Sequence, residues 1–354
     1  MSVAEIAPKK RWSHSFRFRI YGLAVRCNRP IPGVHPSTET CSPDLTISLG
    51  EMPPELSALA DDAGELWWAS PWVDVDGRPS HVIRKIKSGQ YYRFLCSSGA
   101  RFALGGGCRH LWATWPDQVS ESDIAFCLLG PVMGAVLRLR GTVCLNGSAV
   151  RIGTSAVAFL GSAAGKSTTA IAFAHAGHPM IADAVVTLDP CGGRYLVHPG
   201  YPHLRLRNET IEKFGSADAL PMFAAACDKL DLIEEGAFQD EPLPLAAVYI
   251  LGERSWPPAA AVKFEWVSAR EAITVLVENS YGNLQLGGAM RAQQFEFLGR
   301  FLLQVPIRKL TAPDEISFLP AVCRRVVADF RSVAASADFT LEPRARKAAS
   351  GSSR

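Results

Sequence analysis

A short run of small residues near the middle of this chain predicts a strand, a loop and a helix in that order. It lies between an apolar stretch and a helix-like segment, and it reads Gly161-Ser162-Ala163-Ala164-Gly165-Lys166-Ser167-Thr168. A loop that binds phosphate requires this order of strand, loop and helix. Small residues let successive backbone N–H groups converge on phosphate oxygens, Lys166 adds a positive charge, and the Ser167 hydroxyl is placed to hold Mg²⁺. The run therefore predicts a site for nucleotide phosphates, formed by these eight residues.

The loop is one residue shorter than the usual pattern. Three residues separate Gly161 from Gly165, where four normally separate the first glycine from the Gly-Lys pair. Three interpretations stay open: a tighter cradle, a first glycine replaced by Leu160, or a loop that has lost its hold on phosphate. The alternative outside nucleotide binding is an ordinary Gly/Ala-rich turn from strand to helix.

A single carboxylate interrupts the next apolar run, which spans residues 179–188 and predicts a buried strand. Burying an acid is costly unless it has a partner. In a phosphate-loop protein the expected partner of Asp183 is Mg²⁺, held jointly with the hydroxyl of Ser167. The alternative is an aspartate that caps a turn at the end of the strand.

Composition and charge narrow the class of protein. The 354 residues are 48% hydrophobic and 20% charged, which predicts folded, globular domains. The formal net charge of +3 indicates neither a nucleic-acid partner nor a membrane partner. The first twenty residues lack the apolar core of a secretory signal, and no stretch is expected to reach membrane-spanning length.

The nine cysteines are scattered, without a Cys-x-x-Cys pair or a cluster of histidines that would complete a zinc site. We expect reduced, mostly buried thiols. An odd number of cysteines without a signal sequence fits a reducing cytoplasm better than a disulfide framework.

The pattern of the chain predicts four segments. These are a flexible N-terminus over 1–15, a β-rich domain over 16–127, a phosphate-loop domain over 128–335 and a disordered tail over 336–354. Short alternating runs between Pro, Gly and Asp clusters indicate the β-rich domain. Apolar residues at helical spacing predict a linking helix over 124–140, interrupted at Gly130-Pro131.

Beyond the loop, an ordered set of segments resembles the HPr kinase/phosphorylase-like family, most closely its bacterial serine-kinase-like members, some of which are associated with lasso-peptide clusters. The similarity covers 141 to about 330. It rests on the loop and on residues 145–150, 176–178, 181–183, 199–206, 244–251, 279–281 and 305–308. The specificity comes from the order of the set, because no single piece beyond the loop would suffice.

The resemblance implies an α/β fold: a P-loop kinase core of the HPr kinase and phosphoenolpyruvate carboxykinase type, with a mixed sheet, beside the β-rich domain. It implies that ATP and Mg²⁺ are used to phosphorylate a serine hydroxyl of a protein or peptide. Lys166 would then contact the β- and γ-phosphates, and Ser167 and Asp183 would hold Mg²⁺. Arg205 and Lys229 are candidates for neutralising the transferred phosphoryl group, and both fit equally well as surface charges.

Two positions depart from the family. Relatives carry His where this chain has Asn146, and a pair of aspartates where it has Asp183 followed by Ala184. An Asn cannot exchange a proton near neutral pH, so coupling between that histidine and a catalytic carboxylate is lost. A single aspartate must then do work that two usually share, unless Asp189 or Glu212 assists.

Three functions follow from these features. The first is a serine kinase whose catalytic residues are Asp183, Lys166 and Arg205. The second is a degenerate pseudokinase that serves as a nucleotide-responsive or peptide-binding module. The third is a small-molecule phosphotransferase or carboxykinase-like enzyme, to which no residue points. Relatives of this kind often assemble as homo-oligomers, although no heptad pattern supports that here.

Overall fold

Two mixed β-sheets organise the computed structural model. It describes residues 12, 14–161, 165–202, 204–207, 229–232, 237–252, 262–282, 287–313 and 315–340, and only the backbone of 204–207, 229–232 and 335–340. The predicted flexible N-terminus and disordered tail lie largely outside these residues. The mixed α/β class predicted from the sequence is confirmed.

The first sheet has eight strands in the order β1-β2-β3-β8-β7-β6-β5-β4. Their bounds are β1 Phe16–Ile20, β2 Leu23–Cys27, β3 Leu45–Leu49, β4 Glu65–Ala69, β5 His81–Ile86, β6 Tyr91–Cys96, β7 Arg101–Gly105 and β8 His110–Thr114. Strands β4 to β8 form an antiparallel meander, whereas β3 pairs in parallel with both β2 and β8. A short helix, α1 (Pro54–Ser57), lies between β3 and β4.

A helical run covers one face of this sheet. It comprises α2 (Glu121–Cys127), a π-helical turn at Leu128–Val132 that contains Pro131, and α3 (Met133–Leu139). Ser120 caps α2 through a reciprocal pair of hydrogen bonds with Asp123. The run packs into the same apolar cluster as the sheet and continues across the boundary predicted at 127/128.

The expectation that no stretch reaches membrane-spanning length is wrong for this run. Residues 121–139 form 19 helical residues, of which an 18-residue window has a mean hydropathy of 1.5, enough by length and composition to cross a membrane. The π-helical turn is the physical reason, because it carries the helix through the Gly130-Pro131 interruption. The run is 72% buried inside the protein, as expected of a core helix.

The second sheet has nine strands, with β12-β10-β11-β17-β14-β13-β9 as its main path, and β19 joins β17 to β18. Their bounds are β9 Val143–Leu145, β10 Gly147–Ile152, β11 Ser155–Leu160, β12 Met180–Asp183, β13 Val186–Cys191, β14 Arg194–Val197, β17 Leu243–Leu251, β18 Lys263–Trp266 and β19 Ile307–Thr311. A separate pair joins β15 (Leu204–Arg207) to β16 (Lys229–Leu232).

Helices cover both faces of the second sheet. One apolar cluster contains α5 (Ala269–Glu278) and α6 (Gly288–Leu302), and the opposite cluster contains α4 (Lys166–His175) and α7 (Leu319–Thr340). The apolar stretch and the helix-like segment on either side of the glycine-rich run are observed as β11 and α4. The result is a three-layer α/β arrangement.

The strand predicted over 179–188 is broken in the structure. Ala184 has a positive φ of 63°, and the N–H of Val185 donates to the carbonyl of Asp183 over 2.8 Å. This i to i+2 hydrogen bond around a residue with positive φ describes a strained γ-turn. The chain therefore leaves β12 at Asp183 and restarts as β13, so that the two halves pair with β10 and β9 respectively.

The turn after Asp183 joins the two sheets. Val185 is fully buried in the apolar cluster of the first sheet, together with Tyr201. Tyr21 meets Tyr201 edge to face, and its backbone N–H donates to the carbonyl of Pro199 over 2.8 Å. The first sheet thus packs directly behind the turn that carries the candidate acid.

Candidate functional site

The site forms where several strands end at one edge of the second sheet. Strands β11, β17 and β19 are parallel. Strand β12 runs in the same direction, because it is antiparallel to β10, which is itself antiparallel to β11. The carboxyl ends of these strands therefore lie together, which is where ligands bind in open α/β sheets. The glycine-rich loop follows β11 at this edge.

Both glycines that flank the loop have conformations that favour glycine. The φ angles are 148° at Gly161 and 130° at Gly165, and a Cβ on Gly161 would approach the carbonyl oxygen of Leu251 to 3.0 Å. The Lys166 ammonium donates to the carbonyl of Gly161 over 2.7 Å, which ties the end of the loop to its start. Ser162, Ala163 and Ala164 lie outside the described residues.

The predicted metal ligands lie together. The Oγ of Ser167, in the first turn of α4, donates to both carboxylate oxygens of Asp183, at 3.0 and 2.9 Å. Asp183 is 8% exposed and ends β12 directly beside the loop. It lies at the end of a strand, as the alternative interpretation required, but its carboxylate faces the loop hydroxyl. Buried Ser148, the strand partner of Asp183, donates its hydroxyl to the carbonyl of Lys166 over 2.9 Å.

Asn279 lies against the loop, a position that no local sequence pattern predicts. This residue follows α5 and is buried, and its Oδ1 accepts from the N–H of Gly161 over 3.2 Å. Its Nδ2 donates to the carbonyl of Val275, and its own carbonyl accepts from the N–H of Asn146 over 2.6 Å. One side chain thus joins a helix end to the start of the loop. The sequence signal that could have identified Asn279 is its position in segment 279–281, one of the segments that resemble the HPr kinase/phosphorylase-like family.

The two positions at which this chain differs from the family it resembles lie close together, next to Asp183. In the antiparallel register, Ser148 faces Asp183 and Leu145 faces Val186. Asn146, which follows Leu145, and Ala184, which follows Asp183, both lie between these two pairs. Asn146 is also next to the start of the loop, because Gly147 faces Leu160. Asn146 and Ala184 therefore both lie where the chain passes between the β10–β12 pair and the β9–β13 pair, beside Asp183.

The other predicted site residues are only partly accounted for. Arg205 and Lys229 lie on the paired strands β15 and β16, and β15 runs beside α4, but their side chains are outside the described residues. Asp189 contacts His198, with 2.8 Å between Oδ2 and Nε2, and lies six residues beyond Asp183. The structure therefore gives Asp189 a partner other than the loop. Glu212 lies outside the described residues.

A small cavity adjoins the loop on the side of α4. It measures about 40 Å³ and lies between the first turns of α4, the ends of β17 and β19, and the start of α7. Its walls are mainly apolar, with Thr168 nearest the loop and Leu251, Ala312 and Leu319 around it. This small apolar cavity borders the first turn of α4, directly after the glycine-rich loop.

The thiols near the site are not activated nucleophiles. Burial raises the pKa of Cys144, on β9, to about 12, and that of Cys323, on α7, to about 12. A thiol with such a pKa stays protonated at neutral pH, and the nucleophile would be the thiolate. The chemistry available here therefore rests on the ammonium, the hydroxyl and the carboxylate.

No protein-family model matches the sequence, and no curated protein does. Among solved structures, the chain is similar to the HPr(Ser) kinase/phosphatase from Coxiella burnetii. The similarity covers 56% of this chain and 99% of that chain, with 11% sequence identity and a TM-score of 0.28. These values describe a distant structural relationship, and we draw no functional argument from it.

Proposed function

We propose that this protein binds ATP with Mg²⁺ and transfers the γ-phosphoryl group to a serine hydroxyl of a protein or peptide. The observation that carries the proposal is the pairing of Ser167 with Asp183 at the first turn of a helix whose preceding loop is closed by Lys166. Phosphoryl transfer in phosphate-loop proteins uses a hydroxyl and a carboxylate to hold Mg²⁺ and an ammonium to bind phosphate oxygens. These three groups lie close together in this protein. A reducing cytoplasm is the compartment we propose.

In this proposal each residue has one physical task. The N–H groups at the start of α4 and the Lys166 ammonium bind phosphate oxygens. Ser167 and Asp183 supply the oxygen ligands that would hold Mg²⁺, which neutralises phosphate charge when bound. Arg205 would neutralise the phosphoryl group in transfer.

The transfer itself forms one bond and breaks one. The serine oxygen bonds to the γ-phosphorus, and the bond from that phosphorus to the bridging oxygen breaks, so that ADP leaves. The hydroxyl proton passes to a carboxylate, for which Asp183 is the candidate. Among the described residues, Asp183 is the acid that contacts the loop hydroxyl, so both metal binding and proton transfer fall on it.

Asn146 and Ala184, the two residues that differ from the resembled family, favour a second function. Asn146 cannot exchange a proton near neutral pH, and Ala184 provides no second carboxylate. These residues support a pseudokinase, in which ATP binding changes how a peptide or partner is held and no phosphoryl group is transferred. The two functions share the nucleotide site and differ only in turnover.

Calorimetric titration with ATP and Mg²⁺ tests both functions. We expect binding that Lys166→Ala weakens roughly tenfold or more, because a hydrogen bond to a charged group contributes about 1.5–3 kcal/mol. Lys263→Ala, which removes an exposed lysine from β18, is the matched control and should bind like the wild type. Equal affinity in all three proteins, or no binding in any, would overturn the nucleotide site.

ADP release in the presence of a pool of serine-bearing peptides then separates the kinase from the pseudokinase. Peptide phosphorylation, detected by mass spectrometry and absent in Lys166→Ala, supports the kinase. Nucleotide binding without either product supports the pseudokinase instead.

A further inference from the structure

A cluster of one histidine and two cysteines lies in the first sheet, far along the chain from the loop. His81 is the first residue of β5, Cys96 is the last residue of β6, and the two face each other in the antiparallel register. Cys127 ends α2, the helix packed over this sheet. One ligand atom from each residue lies within 4.8 Å of the other two. Among the described residues, this is the one group of three such side chains close enough to share a metal ion.

The imidazole of His81 presents an unused nitrogen. Its Nε2 is buried and has no hydrogen-bond partner among the described residues. Its Nδ1 lies 3.0 Å from the hydroxyl of Ser80, which in turn donates to Ser70 over 2.9 Å. Because the Ser80 proton is directed to Ser70, the Ser80 oxygen is free to accept from Nδ1–H, which leaves the lone pair on Nε2. A histidine oriented through its other nitrogen is the usual arrangement at a metal.

The two thiols are equally well placed as ligands. Cys96 and Cys127 are each 9% exposed. A hydrogen bond joins the two thiols, which brings the sulfurs close to each other beside the imidazole of His81. Thiolate and imidazole together are the ligands that zinc prefers in proteins.

We infer that His81, Cys96 and Cys127 form a binding site for a divalent zinc-type cation, with the imidazole Nε2 and the two sulfurs as ligands. Tetrahedral zinc with Zn–S bonds of about 2.3 Å would bring the two sulfurs to about 3.8 Å from each other. Each sulfur would lie about 3.5 Å from the imidazole nitrogen, so the ligand atoms, now within 4.8 Å of one another, would need to approach by roughly 1.3 Å or less. Water would take the fourth position.

The site would fasten α2 to the strand pair β5–β6. All three ligands end or begin an element, so one ion would fix the end of a helix to two strand termini. The helical run continues from Cys127 to Leu139 and leads into β9 and Asn146. The cation would thus stabilise the packing of the first sheet, independently of the nucleotide site.

Sequence spacing concealed this cluster. The ligands are 15 and 31 residues apart, without the close pairs that mark zinc motifs. The sequence therefore shows no zinc motif here, although the three side chains lie together in the fold. Pairing between β5 and β6, and packing of α2, bring the ligands together.

Titration of the reduced, metal-free full chain with Zn²⁺, and with Co²⁺ as a spectroscopic probe, tests the inference. We expect one Zn²⁺ per chain with a Kd below about 1 μM, a cobalt–thiolate charge-transfer band, and a higher melting temperature with zinc. His81→Gln, Cys96→Ser and Cys127→Ser should each weaken binding by about 100-fold or more, and Ser80→Ala by about tenfold. Cys27→Ser, which alters another buried thiol of the same apolar cluster, should bind like the wild type.

Circular dichroism of each metal-free variant shows whether it is folded. His81→Gln provides the decisive comparison, because it alters a partly exposed residue and leaves both thiols in place. Unchanged zinc affinity in this folded variant would overturn the site, as would the absence of zinc binding in the wild type. Recovery of a Cys96–Cys127 disulfide from protein kept with reductant and Zn²⁺ would also overturn it.

Discussion

The hydroxyl of Ser167 donates to both carboxylate oxygens of Asp183, at 3.0 and 2.9 Å, across 16 positions of sequence. The contact joins the first turn of α4 to the end of β12, and the carboxylate is held near the N-terminus of the helix, where partial positive charge favours it. A hydroxyl and a carboxylate at this distance can bind the same cation. The relationship makes Asp183 the residue on which the proposed function most depends.

Asp183→Asn should abolish the Mg²⁺-dependent part of ATP binding. The amide keeps the size of the side chain and accepts from Ser167 through one oxygen, but it carries no charge to hold the cation. We expect ATP affinity with Mg²⁺ to fall about tenfold or more, to the value measured without it. The matched control is Asp189→Asn, since Asp189 contacts His198 rather than the loop. Equal loss in both variants would contradict this role of Asp183.

Ala184→Gly should make the protein more stable. An L-residue in the left-handed region costs about 1–2 kcal/mol, and glycine does not pay this cost. After the greater chain entropy of glycine is deducted, we expect a gain of about 0.5–1 kcal/mol in the free energy of unfolding, measured with denaturant. The control is Ala58→Gly, where φ is an ordinary −74° at an exposed position, and it should show no gain. A loss at Ala184 would mean that the γ-turn is not strained.

Ala184→Asp should raise the rate of phosphoryl transfer. Aspartate tolerates a positive φ better than alanine does, and the change places a second carboxylate next to Asp183. One acid could then hold the cation while the other accepts the proton. We expect ADP release with peptide acceptors to increase by roughly 100-fold, the lower end of the typical contribution of a general base. Ala184→Asn, with the same shape and no charge, should leave the rate unchanged, and an equal increase in both variants would count against the idea.

The order of elements around the loop was predictable because each has a strong local signal. An apolar stretch, a Gly-Lys-Ser-Thr junction and a helix-like segment follow one another there, and reading them requires no knowledge of distant residues. Asp183 was predicted for a related reason, since an acid in a buried strand needs a partner. In these cases sequence neighbours decide the structure.

The break after Asp183 and the role of Asn279 had no such local signal. An apolar run such as 179–188 predicts one strand, and the break follows from pairing with two separate strands, β10 and β9. Asn279 reaches the loop across 118 positions, through packing of α5 against the second sheet. The cluster of His81 with the two cysteines likewise depends on register between strands. The strand break, the contact of Asn279 and the His81 cluster each depend on pairing or packing between segments that are distant in sequence. No local sequence pattern predicts such contacts.

Asn279→Ala should weaken both the fold and nucleotide binding. Its loss leaves the buried N–H of Gly161 without this acceptor, which costs about 1–3 kcal/mol in the free energy of unfolding. It also frees the start of the loop, so we expect ATP affinity to fall several-fold by calorimetry. Ser280→Ala is the matched control: it removes a buried hydrogen bond to the carbonyl of Leu276 and touches no loop residue. Ser280→Ala should lower stability and leave ATP affinity intact, and if both variants weakened binding equally, the effect would be one of stability alone.

Gly134→Ala should destabilise the protein through a single clash. A Cβ at this position would lie 2.0 Å from the ring of Tyr281, far inside van der Waals contact. Tyr281 is held by its N–H, which donates to the carbonyl of Cys144 over 2.8 Å, and it follows Asn279 by two residues. We expect a loss of about 1–3 kcal/mol in the free energy of unfolding, as for other overpacked sites. Displacement of Tyr281 should also disturb Asn279 and lower ATP affinity.

Gly299→Ala provides the comparison for this change, because it lies on α6 with open space around the added Cβ. It should raise stability by up to about 1 kcal/mol through helix propensity. Adding Tyr281→Ala to Gly134→Ala should restore part of the lost stability, because it removes the ring that the methyl group meets. Additive losses in this double-mutant cycle would show that the clash with Tyr281 is not the cause, and would separate α3 from the segment that supports the loop.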